Sequence, residues 1–186
     1  MDNDLINALE TLRQGGTILY PTDTIWGIGC DATNDEAVRK VFEIKSREDT
    51  RQMLILLDKA ANISRYVDNV PDIAFTFIES AEKPLSIIFQ NAKNLAPSLI
   101  GEDNTIGIRI VRDEFCRELI RELDKPVVST SANISGKPPP VNFAAVGPEI
   151  KDAVDYIVKQ RQDDRNIATP SDIIKFTPEG EIVKIR

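Results

Sequence analysis

Ser129 to Gly136 reads STSANISG, directly behind the apolar run Pro126 to Val128. A buried strand that opens into a turn of Ser, Thr and Asn brings short polar side chains and backbone N–H groups to one place, which is how proteins hold anionic oxygens. The stretch is read as a phosphate cradle at the end of a core strand.

Outward from it, two other segments carry chemistry. Lys45 and Arg47 close the run AVRKVFEIKSR, with Arg51 one turn further on. Basic residues at a helix end often serve the helix dipole alone; opposite a serine-rich turn they become candidate anion ligands. In Thr17 to Ala32, TILYPTDTIWGIGCDA, a strand-like run meets Pro21 and the hydroxyls of Thr22 and Thr24.

Periodicity supplies the frame. Leu5, Ile6, Leu9 and Leu12 predict a helix over 5–14, ended by Gly15-Gly16 before a strand over 17–19. Asn34 or Asp35 is placed to cap a helix running to Lys45, with Val38, Val41, Phe42 and Lys45 on one side. Strands are expected over 53–57, 85–89 and 105–111, and helices over 70–80 and 114–123. In TIGIRIV, Arg109 alternates with Ile106, Ile108 and Ile110, so it projects from the opposite face of its strand. Short strands follow over 155–158, 173–176 and 182–185. Strands and helices interleave without a strict βαβ rhythm, which predicts an α/β fold: a twisted mixed parallel/antiparallel sheet with flanking helices, in one domain over 1–186.

Composition narrows the chemistry. The chain has 186 residues, 41% of them hydrophobic, enough for one well-buried core. It has no histidine, which excludes Ser-His-Asp and Cys-His catalysis and histidine metal ligands. Its net charge of −7 argues against broad nucleic-acid binding and leaves room only for weak RNA contact. Cys30 and Cys116 stand among apolar neighbours without a CxxC pattern, as buried reduced thiols would. With no leader and no membrane-length apolar run, a cytoplasmic protein without membrane attachment is expected. Asp31, Asp35 and Glu36 read as surface or capping carboxylates.

Six segments in order, PTDTIWGIG, the K-x-R of Lys45 and Arg47, KPLSIIF, TIGIRIV, STSANISG with Pro138 to Pro140, and TPSDIIKF, give the chain its resemblance to the YrdC domain family over nearly its whole length, in its short single-domain form. The resemblance implies a synthase that joins L-threonine, bicarbonate and ATP into L-threonylcarbamoyladenylate with release of pyrophosphate, for threonylcarbamoyladenosine modification of tRNA. Mg2+ would accompany ATP as cofactor, and no protein metal site is implied. A downstream tRNA threonylcarbamoyl transferase complex would be its partner. Carried over by position, Lys45 and Arg47 are the catalytic pair. ATP would meet Lys45, Arg47, Arg51, Thr105, Ser131, Asn133, Pro139 and Arg186, and threonine would meet Thr24, Arg109, Ser129 and Ser171. Alanine at Lys45 or Arg47 is expected to abolish turnover and leave the fold intact. Leu56 stands where the family has a histidine that touches threonine. That departure motivates the alternative, a YrdC-like nucleotide- or RNA-binding protein without the synthase activity.

Overall fold

The computed structural model describes residues 2–46, 53–101, 103–177 and 180–186. Arg47 and Arg51 lie outside the described residues. Among the described residues five α-helices, α1 (Asn3–Arg13), α2 (Asp35–Ile44), α3 (Asp72–Ser80), α4 (Glu114–Leu123) and α5 (Pro148–Lys151), accompany a nine-stranded sheet. The strands are β1 (Ile18–Tyr20), β2 (Gly27–Gly29), β3 (Leu54–Leu57), β4 (Leu85–Phe89), β5 (Ile106–Ile110), β6 (Val127–Ser131), β7 (Tyr156–Ile157), β8 (Asp172–Phe176) and β9 (Ile182–Lys184). Their spatial order is β7-β1-β2-β6-β3-β5-β4-β8-β9. The pairs β1/β7, β3/β5 and β4/β8 are parallel and the others antiparallel, so the sheet is mixed as expected.

Side-chain alternation divides the sheet into two faces. Leu19, Ile28, Ile55, Leu57, Ile87, Ile106, Ile108 and Val128 feed one large core, packed against Val38 and Val41 of α2. The other face is covered over only part of its width. There Ile18, Tyr20, Leu56 and Val127 pack under Leu5 and Leu9 of α1 and Phe115 and Leu119 of α4. Among the described residues the rest of that face carries no helix, and the cleft described below lies there.

Local chemistry accounts for the helix ends. Asn34 accepts from the Ala37 N–H at 3.2 Å and Asp113 from the Cys116 N–H at 3.0 Å, each satisfying a first-turn donor. Asp124 ends α4 in the left-handed region, at φ 52°.

Two expectations change. Residues 129–131 are not a turn: they continue β6, with Ser131 paired to Gly27, Thr130 to Ile28 and Ser129 to Leu54. Most of their backbone is used by the sheet, and the side chains of Ser129 and Ser131 share one face of the strand; the turn starts at Ala132. Asp31 is not a surface carboxylate. It is buried, accepts from the N–H and hydroxyl of Thr33, and pairs with Lys125 at 2.6 Å. Burial of a carboxylate requires such partners. Both cysteines are buried and free, and burial pushes both thiols up. Among the described residues no helix is long and apolar enough to cross a membrane.

Candidate active site

The uncovered part of the sheet face forms a cleft of about 1070 Å³. Alternation puts Ser129 and Ser131 of β6, Leu54 of β3, Arg109 of β5, Ile88 of β4 and Ile173 of β8 on its floor. Glycines keep the floor low. A Cβ at Gly107 would meet Leu54 Cβ at 3.1 Å, and one at Gly27 would meet Ser129 Oγ at 3.3 Å. The walls come from Thr24, the turn after β6 with Pro138 and Pro139, and Ser171 with Arg186.

Lys45 is the C-cap of α2 and is 1% exposed, yet it reaches the cleft. Its Nζ donates to the carbonyls of Ser131 at 2.6 Å and Asn133 at 2.8 Å, and its own carbonyl accepts from the Ser135 N–H. The ammonium therefore ties α2 to the serine strand as well as bringing charge to the cleft. Asn133 folds the turn with its amide, donating to the carbonyls of Ile134 at 3.0 Å and Lys137 at 2.7 Å. Its Oδ1 is buried with no hydrogen-bond partner among the described residues.

Arg109 projects from the face opposite the isoleucines, as alternation predicts, and is 4% exposed. Its Nε lies 3.2 Å from Asp23 Oδ1, an ion pair without the alignment of a hydrogen bond, and its Nη2 donates to Thr22 Oγ1 at 3.4 Å. The other Asp23 oxygen accepts from the Arg112 N–H at 3.1 Å. Asp23 was not legible as a site residue, because its partner lies far away in sequence.

Arg186 is held against β8. Its Nε donates to the Ser171 carbonyl at 3.0 Å and its N–H to Ile173. Partial burial and then the charge of Arg109 lower its pKa, so two guanidiniums repel each other at the cleft. Ser171 is buried and its hydroxyl meets that of Ser86 at 2.8 Å.

Thus Lys45, Thr24, Arg109, Ser129, Ser131, Asn133, Pro139, Ser171 and Arg186 all line one cleft. Thr105 does not. Its hydroxyl donates to Asp103 at 2.6 Å and its carbonyl accepts from the Gly101 N–H, which binds it into the turn before β5. Leu56, the position of the missing histidine, is fully buried with α1 and α4 and does not line the cleft.

A family model covering Sua5, YciO and YrdC proteins, described as "Telomere recombination", matches residues 10–186. The chain belongs to that family. Among relatives of the Sua5/YciO/YrdC chain, the "Threonylcarbamoyl-AMP synthase" of Pseudoalteromonas translucida is 31% identical over 156 residues, covering 82% of this chain and 83% of that protein. The protein of the same name from Idiomarina loihiensis is 31% identical over 160 residues, covering 84% and 86%. Of solved structures, E. coli YciO superposes with a TM-score of 0.84 at 23% identity, covering 98% of this chain and 87% of that one. P. abyssi Sua5 complexed with L-threonine gives 0.86 at 24% identity, and this chain spans about half of it, 53%. The fold is thus that of Sua5 and YciO.

Proposed function

We propose that this Sua5/YciO/YrdC protein is an ATP-dependent synthase of L-threonylcarbamoyladenylate. The observation that carries the reading is one cleft where Lys45, Arg109 and Arg186 converge on a floor of hydroxyls, with no Asp or Glu among its described lining residues. Such a cleft fits ligands that carry several anionic groups. The names of the two 31% identical relatives support the same reaction.

In that reaction the amine of L-threonine adds to the carbon of bicarbonate with loss of water. The resulting carbamate oxygen then attacks the α-phosphorus of ATP, and pyrophosphate leaves. A carbamate and a triphosphate repel each other, so the main requirement is fixed positive charge and positioning. Lys45 stands at the serine strand and its turn and Arg186 beside β8 on another wall of the cleft, both suited to phosphate oxygens, with Ser131, Asn133 and Pro139 on the side of Lys45. The planar fork of Arg109 suits the amino-acid carboxylate, with Thr24, Ser129 and Ser171 around it. Arg47 and Arg51 keep their proposed phosphate roles from the sequence.

Among the described residues no group of three Cys, Asp or Glu side chains is placed to hold a metal ion. Mg2+ would enter on the phosphates of ATP, as part of the substrate. A place in the cytoplasm and a downstream tRNA threonylcarbamoyl transferase complex belong to the same proposal. The RNA-binding alternative gains nothing from Leu56, whose side chain does not reach the cleft. The test is pyrophosphate release with ATP, Mg2+ and bicarbonate, comparing L-threonine, L-serine and no amino acid. Threonine-dependent release is expected; its absence refutes the proposal.

A further inference from the structure

The turn after β6 carries a second lysine to which the site described above gives no part. Lys137 lines the cleft between Gly136 and Pro138. Its backbone is fixed from both sides: its N–H donates to the Ile134 carbonyl at 3.1 Å, and its carbonyl accepts from Asn133 Nδ2 at 2.7 Å. Asn133 also lends its own carbonyl to the Lys45 ammonium at 2.8 Å. Lys45 and Lys137 are therefore tied to one turn through one asparagine. The Lys137 ammonium is engaged by Glu149 of α5, whose Oε1 lies 3.0 Å from its Nζ. Glu149 does not line the cleft, so the pair draws this positive charge away from it.

The two partners differ in freedom. The Glu149 carboxylate lies over Gly147, the residue before α5, where a Cβ would collide with both of its oxygens. The missing side chain gives that carboxylate room to fold back on its own segment. Lys137 ends a flexible stem of rotatable bonds, and the side chains of the pair are 62% and 41% exposed. An ion pair so open to water is weak, because solvent and salt screen it. A polyphosphate brings several negative charges where Glu149 brings one, which makes it the stronger partner for the ammonium.

We propose that Lys137 is a further ligand for the triphosphate of ATP and that Glu149 is its counter-ion, exchanged for phosphate oxygens when the nucleotide binds. This rests on the synthase reading and adds two elements to it. One is a second ammonium on the side of Lys45; the other is a carboxylate that opposes nucleotide binding through that ammonium.

Calorimetric titration with ATP and Mg2+ tests this on the parent, Lys137→Gln, Lys137→Arg, Glu149→Gln and the double variant of Lys137→Gln with Glu149→Gln. Lys137→Gln is expected to weaken ATP binding about tenfold, and Lys137→Arg, which keeps the charge, to stay within about twofold of the parent. Glu149→Gln is expected to tighten binding about threefold in the parent and to have no effect once Lys137 is replaced by glutamine. These are surface positions, so melting temperatures should match the parent's within about 2 °C, and the threonine KM should not move. Unchanged ATP affinity in Lys137→Gln overturns the inference. Tightening by Glu149→Gln that persists without the lysine also overturns it, because it marks plain repulsion between carboxylate and phosphate. Pyrophosphate release with threonine is scored separately on the parent. Its absence ends the synthase reading while the titrations still decide the exchange, and a parent that binds no ATP refutes both.

Discussion

Lys45 joins two functions that substitution can separate. Its stem is buried along α2 and its ammonium bridges the carbonyls of Ser131 and Asn133. Lys45→Ala removes three buried methylenes, about 2 kcal/mol at roughly 0.8 kcal/mol each. The two charge-assisted hydrogen bonds add about 1 kcal/mol net once the desolvation of the ammonium is offset. A loss of about 3 kcal/mol in a chain of this length lowers Tm by roughly 6 to 12 °C. Lys45→Met keeps the stem and removes only the charge, so its Tm should fall by about 2 to 4 °C. Turnover should vanish in both. Circular dichroism melts beside pyrophosphate release report the two effects independently. The expectation that alanine leaves the fold untouched is therefore replaced by a graded loss. A melt of Lys45→Ala within 2 °C of the parent would refute the structural tie, and retained turnover in Lys45→Met would refute the role of the charge.

Gly29→Ala places a Cβ 2.6 Å from the Tyr20 ring and 2.7 Å from the Val128 carbonyl, so it should cost about 1 to 3 kcal/mol, read as a lower urea midpoint. Leu56→His should not improve threonine affinity: it buries an imidazole between the sheet and α1, at a cost of about 2 to 4 kcal/mol in denaturant melts. In alkali, burial raises the Cys30 and Cys116 thiols, so the folded state keeps protons that the unfolded chain loses from about pH 8.5. The folded state then binds more protons, so stability is full below that pH and declines above it; Cys30→Ala with Cys116→Ala should move the onset upward, and an unchanged onset would exclude the thiols as its cause.

How much of this was legible in the sequence follows from which forces are local. The spans of β4 and α4 and the side of β5 from which Arg109 projects follow from periodicity, because burial on one face imposes it directly. β2 escaped reading: it is Gly27-Ile28-Gly29, with glycines where the Tyr20 ring and Ser129 approach, and nothing in a glycine announces a strand. Ser129 to Ser131 read as a turn because short polar residues favour turns, yet they form a strand whose open face lines the cleft. Thr105 looked like a nucleotide contact by position, and a local bond to Asp103 holds it elsewhere. The ion pair of Asp23 with Arg109 depends on side chains brought together only by the sheet.

The same sheet explains why the loss of a histidine at position 56 need not disable the site. Leu54 and Leu56 share a face of β3, but the register places Leu54 opposite Ser129 and Leu56 opposite Val127. One step of two residues crosses from the cleft to the core beneath α1 and α4, where a leucine gains from burial and an imidazole would need a partner. On the cleft side of that boundary the proposed work of orienting an amine falls to the hydroxyls of Thr24 and Ser129, which carry no charge in either role and need no histidine beside them.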